Sequence, residues 1–156
     1  PMTENNYITG GCTALLDAIG NAIHHISNIH KYARKEDVPE HPLFVITTDG
    51  MENASINYNY KQVKKMIEKE QKEYGWEFIF IGANIDACAE AERFGIRKER
   101  AVNYIHDDIG TKLIYEGVSQ AMCAAMEADS PMVMEESLSN NRWKKEIVFD
   151  FLRRKK

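Results

Sequence analysis

Leu43-Phe44-Val45-Ile46-Thr47-Thr48-Asp49-Gly50 is the stretch on which the fold turns. Its opening residues are apolar on both faces and rich in β-branched side chains. A strand with one wet face would alternate apolar with polar residues. Continuous apolarity instead fits a strand of a parallel sheet, covered on both sides. The run stops at Thr48-Asp49-Gly50, residue types that favour a turn. A second run of the same kind, Trp76-Glu77-Phe78-Ile79-Phe80-Ile81, ends at Gly82-Ala83-Asn84.

Helical periodicity surrounds these runs. Upstream, Leu15, Ile19, Ala22, Ile23, Ile26 and Ile29 recur at spacings of three and four, which predicts a helix over 14–30 that fades near Arg34. Gly10 and Gly11 precede it, and Thr13 is placed to cap it. Between the two apolar runs lies a polar loop, 51–59, and then a helix over 60–74. That helix has Val63, Met66 and Ile67 on one face and Gly75 as its left-handed stop. Asp86 is placed to cap a third helix, 87–94, which Gly95 closes. A short strand over 101–104 leads through His106-Asp107-Asp108 to a fourth helix over 111–126. Capping that helix is the expected role of the paired aspartates.

Strict alternation of helix with fully apolar strand predicts a parallel sheet with helices on both faces, its two main strands side by side in the same sense. Right-handed crossovers then gather every strand-to-helix loop on one edge, where such folds bind ligands. Asp49, Asn84, Asp86, Asp107 and Asp108 all fall there. Three strands make a small sheet for four helices. With Pro1 as first residue, further strands are expected upstream.

The chain has 156 residues, 44% of them hydrophobic and 28% charged, a composition for one packed domain. No apolar run approaches the ~20 residues of a membrane span. No signal peptide is visible. Cys12, Cys88 and Cys123 are odd in number and widely spaced, which suits reduced thiols in a cytoplasmic protein. Net charge is −4, but residues 142–156 hold seven basic and two acidic side chains. The rest is therefore acidic, which argues against nucleic acid as main partner. His24, His25 and His30 lack the i, i+4 spacing of a zinc pair and read as solvated or rim histidines.

Two segments carry chemistry: Gly10-Gly11-Cys12-Thr13-Ala14-Leu15-Leu16-Asp17 and Val45-Ile46-Thr47-Thr48-Asp49-Gly50-Met51-Glu52-Asn53. Together and in this order they resemble the von Willebrand factor A-type (vWA) domain family, over roughly residues 9–126. The resemblance implies an α/β fold: a Rossmann-like three-layer sandwich with a mostly parallel central sheet, here N-terminally incomplete. It also implies that Thr13 and Asp49 lie close together as ligands of a divalent cation, Mg²⁺ or else Mn²⁺ or Ca²⁺, through which a protein partner is held. The family's remaining ligands come from an Asp-x-Ser-x-Ser motif, which this chain lacks. Weak metal binding is expected, because two oxygens rarely offset the dehydration of a hard cation.

The reading is thus a non-catalytic, metal-dependent protein-binding module of bacterial, cytoplasmic type. Two alternatives stand beside it: a metal-dependent phosphohydrolase using Asp49, and a degenerate domain that only assembles with other chains. No Ser-His-Asp order and no P-loop lysine is present. Residues 127–141 read as a linker. In 142–156, Trp143, Ile147 and Phe151 form a helical stripe, although 147–152 suits a strand equally. A sheet lacking its opening strands leaves an edge and apolar surface bare. Self-association is expected, or recruitment of 147–152 as a surrogate strand.

Overall fold

A computed structural model describes residues 11–40 and 42–155. Pro1, Gly10 and Lys156, which figured in the sequence reading, lie outside the described residues. The elements run α1 (Leu15–Tyr32), β1 (Leu43–Thr48), α2 (Tyr60–Tyr74), β2 (Glu77–Gly82), α3 (Ala87–Arg93), β3 (Ala101–Asn103), α4 (Asp108–Met126), α5 (Pro131–Ser139) and α6 (Lys145–Arg154). Short 3₁₀ turns precede β3 and α6.

The strands form a parallel sheet in the order β1-β2-β3. β1 and β2 run side by side in register from Leu43 opposite Glu77 to Thr48 opposite Gly82, as the two apolar runs require. The period of two on β2 divides the interior. Phe78 and Phe80 join one core with Ile19 and Ile23 of α1, Val63 and Ile67 of α2, and Phe94. Ile79 and Ile81 join a second core with Ile114 and Ala121 of α4, Leu138 of α5 and Ile147 of α6. The sheet therefore has helices on both faces, α1 to α3 on one and α4 to α6 on the other. No helix of the described residues is long and apolar enough to cross a membrane.

Local signals set most of the boundaries. Asn59 and Gln62 make a reciprocal capping box at the start of α2, and Gly75 ends it at φ 68°. Asp86 accepts from Ala89 N–H to open α3, and Asp107 accepts from Gly110 N–H to open α4.

Three expectations need correction. Thr13 does not cap α1: Ala14 occupies the cap position, with no side-chain capping bond. The segment 127–141 is not a plain linker, because Pro131–Ser139 is a helix, with Ser130 accepting from Val133 N–H at its start. That helix buries Met134 and Leu138, apolar contacts that a polar linker has no means to make. Finally, 147–152 is not a surrogate strand. It lies within α6, whose Ile147 and Asp150 are buried, and α6 covers a face of the sheet and extends no edge. The stripe of Trp143, Ile147 and Phe151 does have the helical spacing read from the sequence. Close approach makes this packing specific: a Cβ on Gly117 of α4 would come within 2.6 Å of the Trp143 carbonyl oxygen.

Candidate functional site

Because all three strands are parallel, the turns after β1, β2 and β3 share one edge with the start of α1. The first N–H groups of any helix have no partner within it. In α1 they are met by the loop 51–59, some 40 residues away. Glu52 Oε2 accepts from Leu16 N–H at 2.8 Å and Ser55 Oγ from Asp17 N–H at 3.0 Å, while just ahead of the helix Asn53 Oδ1 accepts from Thr13 N–H at 2.7 Å. The exchange is mutual. Asp17 returns its carboxylate to the loop, accepting from the backbone N–H groups of Ile56 (3.0 Å), Asn57 (2.9 Å) and Tyr58 (2.8 Å). Glu52 also accepts from Ala54 and Ser55 N–H and from the Ser55 hydroxyl, which folds the loop back on itself.

This lacing brings Thr13 against the turn after β1. Asn53 N–H donates to the Thr13 carbonyl at 3.1 Å, and a Cβ on Gly50 would sit 3.4 Å from Thr13 Oγ1. The turn is fixed by Thr48, whose hydroxyl donates to the Gly50 carbonyl at 2.9 Å. It is also fixed by Asn84, whose amide donates to the Asp49 carbonyl at 3.2 Å. Asn84 holds φ 59°, one of two non-glycine residues there among those described.

Thr13, Thr48 and Asp49 line an open recess of about 360 Å³ with Tyr104 and His106 from the segment after β3. Among the described residues the Thr13 hydroxyl makes no hydrogen bond. The Asp49 carboxylate has one neighbour of opposite type, His106 Nδ1 at 3.7 Å, and both side chains are more than half exposed. Tyr104 is buried behind them. Burial, and after it the Asp49 charge, pushes its phenol above the usual range. The structure thus brings Thr13 and Asp49 into one recess, the proximity that the resemblance implied. Of the other edge residues, Asp108 is exposed in the first turn of α4 and the rest are engaged otherwise. Asp86 and Asp107 are caps, Asn84 braces the turn, and Asp107 also pairs with Arg154 of α6. His106 was legible only as part of a loop. Its approach to Asp49 comes from β3 lying on the far side of β2, which local sequence does not encode.

Among the described residues no group of three His, Cys, Asp or Glu side chains is placed to hold a metal ion. His24 and His25 are exposed and His30 lies edge-on to Trp76, in keeping with rim positions. The three cysteines are exposed and unpaired. No family model matches the chain, and comparison with curated proteins and with solved structures gives no match.

The loop lacing has a pH signature. Hydrogen bonds from Ile56 N–H and its neighbours hold the Asp17 carboxyl below its usual value. Burial alone would raise the Glu52 carboxyl, but bonds from Leu16 and Ser55 outweigh it and the net shift is downward. Arg154, and then Gly110 N–H, bring Asp107 down to about 2. Folding lowers all three pKa values, so the folded chain binds fewer protons than the unfolded one. The resulting stability is complete above the unfolded carboxylate values, about 4, and is lost as pH falls toward 2. Urea midpoints should therefore hold steady between neutral pH and about pH 5, then decline steeply. Asp17→Asn should flatten the decline, and an unchanged pH profile in that variant would contradict the role given to the carboxylate.

Proposed function

We propose that this chain is a vWA-type domain, a non-catalytic module that holds a protein partner through a divalent cation. The observation that carries the reading is the shared recess of Thr13 and Asp49 at the C-terminal edge of a parallel sheet, with hydroxyl and carboxylate free of strong partners among the described residues. Hard oxygens of these two kinds suit Mg²⁺, with Mn²⁺ or Ca²⁺ as substitutes. Thr13 and Asp49 would hold the ion, and the chemistry it supplies there is an open position for a partner's carboxylate. The capping box, loop lacing and Asn84 brace serve to keep the two side chains in place. Two ligands are a small set for such an ion, so binding through Thr13 and Asp49 is weak, and the ion keeps several waters.

Titration with Mn²⁺, followed by paramagnetic broadening of the resonances around the recess, tests the reading. Broadening centred on Thr13, Asp49 and Gly50 is the expected result, with a dissociation constant roughly in the millimolar range and loss of about tenfold or more in Asp49→Ala. Equal broadening in that variant removes the reading. A second reading, a phosphohydrolase using Asp49, draws on one observation: His106 Nδ1 stands 3.7 Å from Asp49 Oδ2, a neighbour able to move a proton. Phosphate release from an aryl phosphate with Mg²⁺, abolished by Asp49→Asn, would favour that reading over the binding module.

A further inference from the structure

At the opposite, N-terminal edge of the sheet a cavity of about 630 Å³ opens between α1 and α2, a size suited to a small molecule. Its lining includes Glu70 and Trp76, which are only 5% and 3% exposed. A buried charge normally has an ionic partner. Three of the four buried charged residues among those described obey this rule: Glu90 pairs with Arg93, Arg100 with Glu77, and Asp150 with Arg154. Glu70 does not. Among the described residues its carboxylate has one partner, the Ser27 hydroxyl, which donates to Oε1 at 2.9 Å, and Oε2 has none.

The lysines near the cavity do not meet this need. Lys31 and Lys69 are exposed at the rim, their ammonium groups 5.4 Å and 5.7 Å from the ring centres of Tyr32 and Tyr74, and neither lies within ion-pair distance of Glu70. The buried surface beside the carboxylate is instead aromatic and aliphatic: Trp76, with the His30 ring edge-on at 5.5 Å, and Ile23. A carboxylate with no ionic partner among the described residues, in a cavity that an indole and an aliphatic side chain also line, is the environment that an organic ammonium seeks. The carboxylate accepts its N–H groups, and the aromatic ring and apolar wall receive the cation's flank and carbon chain.

We propose that this cavity binds a small organic cation of the primary alkylammonium class, its nitrogen on Glu70 and its chain against Trp76, Ile23 and Met66. The site lies at the other edge of the sheet from Thr13 and Asp49, and it stands whether or not the proposed metal site does. The experiment is a titration of the whole chain with butylammonium chloride, followed by protein NMR, with sodium butyrate as the comparison. Saturable shifts of the Trp76 indole and Met66 methyl resonances are expected with butylammonium and not with butyrate. Glu70→Gln, which keeps the shape and the bond from Ser27, should weaken binding by about tenfold or more. Undiminished binding in Glu70→Gln, butyrate binding more tightly than butylammonium, or no saturable shift in the wild-type chain would each overturn the proposal. The wild-type shifts also decide independently of any variant, because a response confined to residues away from Trp76 and Met66 would place the ligand elsewhere.

Discussion

Removing residues 142–156 should cost the chain its solubility, with the truncated protein recovered as aggregate or as a species exposing apolar surface. Trp143 and Ile147 are 4% and 2% exposed and close the second core over Ile81, Ile114 and Leu138. The Trp143 indole N–H donates to the Leu138 carbonyl at 3.2 Å, which ties the turn before α6 to the end of α5. The Lys144 ammonium donates to the Glu99 and Ala101 carbonyls at 2.6 and 3.0 Å, which ties the same segment to the start of β3. Arg154 pairs with Asp107 at the start of α4. A single substitution separates packing from length. Trp143→Ala should lower the unfolding free energy by about 3–5 kcal/mol, a large part of the roughly 5–15 kcal/mol of an ordinary domain. A urea midpoint unchanged by Trp143→Ala, or a soluble monomeric truncation, would show that α6 is dispensable.

The second large effect lies at Arg100, 1% exposed, where three segments converge. Its Nε donates to Glu77 Oε2 at 2.8 Å, its Nη1 to Ser139 Oγ at 3.0 Å and its Nη2 to the Glu135 carbonyl at 3.0 Å. One guanidinium thus joins the start of β2 to the length of α5. Arg100→Met leaves Glu77 partly buried without its main partner and strands a carbonyl and a hydroxyl. Breaking a buried pair from one side costs about 3–5 kcal/mol. The lower end applies here, because Arg97 stands 4.0 Å from Glu77 and supplies some residual attraction. Replacing both partners, Arg100→Met with Glu77→Leu, should recover part of the loss, since the unpaired charge is then gone. Urea denaturation of the two variants measures this. A single variant within about 0.5 kcal/mol of wild type, as at an ordinary surface site, would sink the argument.

Self-association, expected from a sheet short of strands, is answered only in part by the fold. The tail was recruited, but to a face. β1 remains at one end of the sheet order and no described strand pairs along its outer side.

What the sequence by itself determined is what short-range physics encodes. Period two against period 3.6 separated strands from helices. Apolarity on both faces of 43–47 and 76–81 required a covered parallel sheet, and the observed β1–β2 register agrees. Gly75, Asp86 and Asp107 act on backbone groups within a few residues of themselves, so the end of α2 and the start of α3 were readable from types and spacing alone, whereas α4 begins at Asp108, three residues ahead of the start read at Thr111, with Asp107 alone as its cap. Tertiary structure decided the rest. Thr13 failed as a cap because Glu52 and Ser55, distant in sequence, reached the first N–H groups of the helix. The 147–152 run suited strand and helix equally until a face of the sheet offered α6 a place to bury Ile147, beside the Trp143 that packs on Gly117. Arg100 reads as an ordinary surface arginine until Glu77, Glu135 and Ser139 surround it. In each case the partner lies far along the chain. Its contribution depends on distance and burial in space, and neither the period nor the type of the neighbouring residues carries that information.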